Sequence, residues 1–210
     1  MIAEAAGIDG PPVTPADAVL YLASRSPRRR ALLDQVGLRY AWLAAEVDET
    51  PRAGETPTGF TARLAATKAR AGGRFAAAQG WPGRPVLGAD TCVSVDGNML
   101  GKPRDRDHAR TMLNSLSNRS HDVYTAIALL DGDRCYTARS ASRVTFKRLS
   151  SAEIDRYWQT GEPRDKAGGY AIQGKAAAFV ASLQGSYSGV VGLPLFELRE
   201  LLLKIGVDWL

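Results

Sequence analysis

Residues 19–33, VLYLASRSPRRRALL, constrain the fold more than any other stretch of the chain. An apolar run over 19–24 has the character of a buried strand. It passes into Ser26-Pro27, an N-cap followed by a first-turn proline, and a helix over 28–36 then stops at Gly37. Three consecutive arginines, Arg28, Arg29 and Arg30, therefore fall on the first turn of a helix. Leu32, Leu33 and Val36 supply the apolar stripe that a disordered arginine-rich tail or a sorting signal lacks. Arginine opposes the helix dipole at an N-terminus. The turn is then either a solvated face with one or two ion pairs, or the answer to an anion supplied from outside. The backbone N–H groups after Ser24 and the forked guanidinium donors would suit a polyphosphate.

Further along, residues 40–45 predict a second strand, the acidic EVDET follows at 46–50, and Thr56 caps a helix over 57–78 with Phe60, Leu64 and Ala65 on its buried side. Residues 85–89 predict a short strand ending at Asp90-Thr91. Residues 93–100, with an Asp96-Gly97-Asn98 turn, predict a hairpin. Asp105 caps a helix to Leu116, and residues 121–130 and 135–147 predict two long strands paired antiparallel. Ser150 and Glu153 form a capping-box pattern that starts a helix ending at Gly161. A loop over 162–174, a strand over 179–183, a Gly-rich turn over 185–194 and an amphipathic closing helix over 194–205 complete the pattern. The class is mixed α/β. Residues 18–210 are expected to form a single two-lobed domain, behind a leader over 1–17 that is expected to fray.

The hydrophobic share, 45% of 210 residues, is ample for a core, and the formal net charge of +5 points to an anionic partner without the dense basic face of a duplex-DNA binder. The two cysteines, Cys92 and Cys135, have neither a CxxC nor a disulfide-framework spacing, so a reducing, cytoplasmic setting is expected, with both as plain strand residues. The first eighteen residues lack the basic and apolar regions of a targeting signal, and no apolar run approaches membrane-spanning length. No membrane partner is expected.

An anion at the arginine turn needs a base or a metal. The carboxylates outside helix interiors include Asp48, Glu49, Asp90 and Asp165, of which Asp90, at the end of a buried strand, is the best placed to hold a magnesium-bound water or accept its proton. An Asp at a strand end is otherwise a common turn-former. Zinc is disfavoured, since only His108 and His121 exist and neither is spaced with a cysteine as a ligand pair. Lys68 lies mid-helix among alanines, and Lys102 sits in a tight Gly-Lys-Pro turn from which it could reach a phosphate. Residues 161–174, GEPRDKAGGYAIQG, have glycines that permit close approach of a ligand, with Tyr170 and Gln173 offering a flat surface and an amide edge to a base. An ordinary loop is the competing reading.

Taken together, LASRSPRRRALL, EVDETP, LAATKA, GADTCV, GKP, GEPRDKAGGYAIQG and GSYSGVVGLPL resemble the Maf family of nucleoside triphosphate pyrophosphatases, in family order from Leu20 to about Leu203. The resemblance implies an elongated mixed sheet flanked by helices, two lobes with a cleft between them in the manner of inosine triphosphatases, a homodimer, and hydrolysis of a nucleoside triphosphate to monophosphate and pyrophosphate. It assigns Asp90 as proton acceptor and Glu49, Lys68 and Lys102 as charged active-site positions, with Ser24 and Arg29 on the phosphate side. Mg²⁺ or Mn²⁺ is the implied cofactor, with Glu49 and Asp90 as its expected ligands. The branch acting on dTTP and UTP resembles this chain at Arg28, Thr91 and Gln173, whereas the 7-methyl-GTP branch carries SPWR, DQ and SEG there. Arg25 departs from the small residue common in the family. A non-catalytic division regulator or a nucleic-acid-binding protein is the alternative of a different class. No basic stripe interleaved with aromatics supports a nucleic-acid partner.

Overall fold

The computed structural model describes residues 13–44 and 46–209. The elements run β1 (Leu20–Ala23), α1 (Pro27–Gln35), β2 (Tyr40–Leu43), α2 (Pro57–Ala78), β3 (Val86–Val95), β4 (Asn98–Leu100), α3 (Arg106–Leu116), β5 (Ser120–Asp131), β6 (Arg134–Phe146), α4 (Ser151–Gln159), β7 (Val180–Gln184), α5 (Tyr187–Val191) and α6 (Leu195–Lys204). The seven strands form one mixed sheet whose order across its width is β2-β1-β3-β5-β6-β7, with β4 paired to β3 beside that path. Most of the leader expected to fray, residues 1–12, lies outside the described residues. Thr14 and Asp17 hydrogen-bond across a turn, and Val13 packs against the cluster of Ala18, Tyr21 and Ala41.

β1 runs parallel to both β2 and β3, and every other pairing is antiparallel. The hairpin expected over 93–100 forms, with Val93 opposite Leu100 of β4, but its first arm continues the strand before it, so β3 is one continuous ten-residue strand that does not end at Asp90-Thr91. The reason is β5, which pairs with it residue for residue from Val86↔Leu130 to Ser94↔Asp122 and carries the ladder straight through Asp90-Thr91. Asp90 therefore sits in the middle of a strand, not at its carboxyl end. On the opposite edge β3 has two different partners. β1 covers Val86–Gly88 and β4 covers Val93–Val95, so residues 89–92 have no strand beside them. That gap divides the sheet into a β2-β1 side and a β4 side. It is the physical origin of the cleft.

Small residues bring α2 close to the sheet. Its Ala65 and Ala69 pack on Ala126 and Ala128 of β5, and Gly88 of β3 lies beneath them. A Cβ at Gly88 would stand 2.2 Å from the Ala65 carbonyl oxygen and 2.6 Å from the Ala69 nitrogen, so only glycine permits this contact. Thr56 caps the helix by accepting from the Gly59 N–H at 3.1 Å, as its sequence position indicates. The main apolar core lies largely on the other face, where Leu33, Leu113, Leu116, Ile127, Phe146, Ile154, Leu198 and Leu202 are buried. The capping box at Ser150 and Glu153 forms, and Asp105 caps α3. No described helix is long and apolar enough to cross a membrane.

Two stretches differ from their sequence reading. Residues 162–174 are not a plain loop but include short 3-10 turns at Glu162–Asp165 and Ala167–Gly169. The Gly-rich turn over 185–194 contains the helix α5, capped by the Ser186 hydroxyl accepting from the Gly189 N–H. Cys92 and Cys135 lie on β3 and β6, as plain strand residues.

Candidate active site

Where β1 ends and β4 has not yet begun, a cleft of about 910 Å³ opens against the unpaired edge of β3. It is lined by Ser24, Arg28, Arg29, Glu49, Lys68, Asp90, Thr91, Lys102 and Gln173, so all nine candidate residues meet in one space. They arrive from separate elements. Ser24 comes from the β1-α1 turn, Arg28 and Arg29 from the first turn of α1, Glu49 from the segment after β2, and Lys68 from α2. Asp90 and Thr91 lie on β3, Lys102 follows β4, and Gln173 belongs to the segment after α4.

At the centre the Lys68 ammonium bridges two carboxylates, 2.7 Å from Asp90 Oδ1 and 2.6 Å from Glu49 Oε1. Lys68 and Asp90 are both buried, whereas the Glu49 side chain is 51% exposed. Lys68 reaches Asp90 because Gly88, two residues earlier on the same face of β3, admits α2 so closely. Burial pushes the Asp90 carboxyl above the ordinary aspartate value, although Lys68 and Arg29 pull against it. Burial also acts on Glu49, but Lys68, Lys102 and Arg29 outweigh it and hold that carboxyl below the ordinary glutamate value. The two carboxyls are thus driven apart. Glu49 stays ionised, and Asp90 is the one suited to take up a proton.

The three arginines have three separate surroundings. Arg29 is buried and donates from Nε to the Gly192 carbonyl at 2.7 Å, from Nη1 to Ser24 Oγ at 2.9 Å and from Nη2 to Thr91 Oγ1 at 3.3 Å. It ties the β1-α1 turn, β3 and the segment after α5 into one wall. Burial lowers its pKa and Asp90 counters that. Arg28 lines the cleft, where burial lowers its pKa and the negative charge of Asp165 offsets part of the effect. Arg30 turns away and stacks on the Trp42 ring, its guanidinium carbon 5.4 Å from the ring centroid. Ser26 occupies the N-cap position of α1 without capping it. Instead its N–H donates to Ser24 Oγ at 3.2 Å. Arg25, exposed, pairs with Glu46 at the rim.

Thr91 Oγ1 also lies 2.9 Å from Thr125 Oγ1, and the Thr125 hydroxyl donates to the Gly189 carbonyl at 2.7 Å. These partners, Thr125, Gly189 and Gly192, escape a reading of the sequence, because a backbone carbonyl and an unremarkable strand threonine leave no local signal. Tyr170 does not offer a flat face to a base. Its ring is packed edge-on against His121 and Phe146, and its hydroxyl is 2.7 Å from His121 Nε2. Gln173 is exposed at the cleft wall, beside buried Ile172. Burial pushes the Cys92 thiol up to about 12, which leaves it inert as a nucleophile.

This geometry can bind a polyanion, hold one carboxylate ionised beside an ammonium, and offer a second carboxylate as a proton acceptor. The comparisons with known proteins point the same way. Residues 19–205 match the family described as Maf-like protein. The dTTP/UTP pyrophosphatase of Alkalilimnicola ehrlichii is 56% identical over 193 residues, covering 90% of this chain and 94% of that protein. That of Chromobacterium violaceum is 50% identical over 192 residues, covering 91% and 97%. Among solved structures, the Ham1 protein of Staphylococcus aureus matches with a TM-score of 0.42 and 15% identity over 60% of this chain and 71% of that one. With a family match that takes in the strand, helix and loop contributions to the cleft, and relatives identical at half or more of their positions, this chain belongs to the Maf family.

Proposed function

We propose that this protein hydrolyses nucleoside triphosphates, dTTP and UTP in particular, to the monophosphate and pyrophosphate. The observation that carries the reading is the Asp90-Lys68-Glu49 constellation, with Asp90 and Lys68 buried, in one cleft with Arg28 and Arg29, in a chain about half identical to curated dTTP/UTP pyrophosphatases. Asp90 orients a water toward the α-phosphorus and takes its proton, a role suited to a carboxyl whose pKa burial has raised. Lys68, Lys102 and Arg28 stabilise the charge that develops on the leaving pyrophosphate. Arg29, its donors turned to Ser24, Thr91 and Gly192, keeps the wall in shape.

Mg²⁺ or Mn²⁺ fits the donor set. Glu49 and Asp90 present hard carboxylate oxygens converging on one point of positive charge, the Lys68 ammonium. Among the described residues no group of three or more His, Cys, Asp or Glu side chains is placed to hold a metal, so triphosphate oxygens and water would complete the coordination. When bound, the cation would neutralise phosphate charge and lower the pKa of a water. The Gln173 amide reads the O4/N3 edge of uracil or thymine, since it offers both a donor and an acceptor, and Arg28 and Thr91 line the same cleft. The working unit is a homodimer in the cytoplasm, and light scattering of the purified protein checks the first part.

Turnover of dTTP in ¹⁸O-water with Mg²⁺ tests the activity. Label in dTMP, with pyrophosphate as the other product, is the expected result. Nucleoside diphosphate plus orthophosphate, or no turnover of any nucleotide alongside oligonucleotide binding, would overturn it.

A further inference from the structure

The segment that carries Gln173 has no strand beside it, yet it is held at both ends by one pair of side chains. Ahead of Gln173, the Ala171 N–H donates to the Tyr157 hydroxyl at 3.1 Å. Behind it, the Lys175 N–H donates to Glu162 Oε2 at 3.0 Å and the Ala176 N–H to Glu162 Oε1 at 3.4 Å. The two anchors are themselves joined, because the Tyr157 hydroxyl donates to Glu162 Oε1 at 2.7 Å. Burial and that bond raise the Tyr157 pKa, so the phenol remains a donor.

Gly174 shows how tightly the carboxylate is wrapped. Its φ of −107° is open to any residue, so what the glycine supplies is room for the Glu162 carboxylate in this position. A Cβ there would stand 2.4 Å from Glu162 Oε2 and 2.6 Å from Oε1. The backbone has closed over the carboxylate to within the volume of one methyl group. Between the anchored Ala171 and Lys175, Ile172 is buried and Gln173 is exposed.

We infer that Glu162 and Tyr157 are positioning residues that clamp the segment around Gln173 and so fix where its amide meets the base. The inference rests on the reading above that Gln173 recognises the base edge. Neither residue need touch the nucleotide. Glu162 acts through two backbone N–H groups and Tyr157 through a third. Three donors converge on the two Glu162 oxygens. A glutamine in its place keeps the volume but has one acceptor oxygen, so its NH₂ would face an N–H or the phenol and the clamp would open on one side.

The test uses UTP and CTP, pyrimidines of the same size with opposed hydrogen-bonding patterns at position 4, so that their ratio reports edge reading and not bulk. Steady-state kcat and KM are measured on the full chain for the parent, Glu162→Gln, Tyr157→Phe, Gln173→Ala and the Glu162→Gln/Gln173→Ala double variant. Glu162→Gln should lower the UTP-over-CTP ratio of kcat/KM about tenfold, through KM for UTP more than through kcat, as expected when a contact group is displaced and the chemistry is not. In the Gln173→Ala background it should change the ratio no further. Tyr157→Phe should act in the same direction and carries the test if Glu162→Gln does not fold. Equal losses for both nucleotides, an unmoved ratio in the folded variants, or a full additional effect on top of Gln173→Ala would each overturn the clamp. If Gln173→Ala alone leaves the ratio where it was, the failure belongs to the base-reading role of Gln173, and the clamp loses its function with it.

Discussion

Asp90 and Glu49 share one ammonium and yet are pushed in opposite directions, because one carboxyl is enclosed by sheet and helix while the other stands half in water. Lys68 holds both. It supplies a charge that lets Asp90 ionise in a buried position, and it keeps Glu49 turned toward the cleft. Asp90→Asn keeps the volume and removes the proton acceptor, so kcat should fall by about two to four orders of magnitude while circular dichroism remains that of the parent. Near-parental turnover in that variant would move the base to Glu49. Lys68→Met tests the electrostatics separately. Removing the cation that opposes the burial effect raises the Asp90 pKa further, and activity that needs ionised Asp90 then appears only at higher pH. The acid limb of the pH profile of kcat/KM should therefore move up. An unmoved limb would show that it reports another group.

At the level of elements, the contact between α2 and β3 sets the distance between Lys68 and Asp90, and its tightness comes from Gly88. Gly88→Ala places a methyl 2.2 Å from the Ala65 carbonyl oxygen, a backbone atom that cannot swing away as a side-chain tip can. Unfolding by urea should show a loss of about 1–3 kcal/mol or more, and kcat should fall with it as the helix moves off the strand and carries Lys68 with it. Parental activity together with the stability loss would mean that the ammonium reaches Asp90 by other routes. Much of this was legible in the sequence. Thr56 and Pro57 mark the start of α2, Asp105 caps α3, and the alternation in residues 120–146 gives β5 and β6, because caps and periodicity are local signals. The position of Asp90 was not legible. A carboxylate in mid-strand runs against strand propensity, and what compensates it, Lys68, lies 22 residues away in sequence. The same holds for α5, where GSYSGVVGLP reads as a turn although Gly192 supplies the carbonyl that receives Arg29, 163 residues away. The nine candidate residues could be named in advance from family motifs, but their meeting in one cleft depends on the gap in the pairing of β3, which no local pattern records.

For the molecule as a whole, the sheet distributes the site unevenly. Asp90 rides on β3, which is paired with β5 along nearly its full length and with β1 and β4 on either side of the gap. Gln173 rides on a segment without strand pairing that is tied by Tyr157 and Glu162. Proteins open in pieces, and the pieces with least backbone pairing open first at the lowest cost in free energy. Amide hydrogen exchange should accordingly be faster around residues 171–176 than along β3 and β5. In urea below the unfolding transition the preference for UTP over CTP should decline while total hydrolysis of the two persists. Parallel loss of both would place the Gln173 segment in the same cooperative unit as the sheet. With the proposed base on a strand paired along nearly its full length and the proposed base reader on a segment held by two side chains, a partly loosened population of this protein would lose selectivity before it lost turnover.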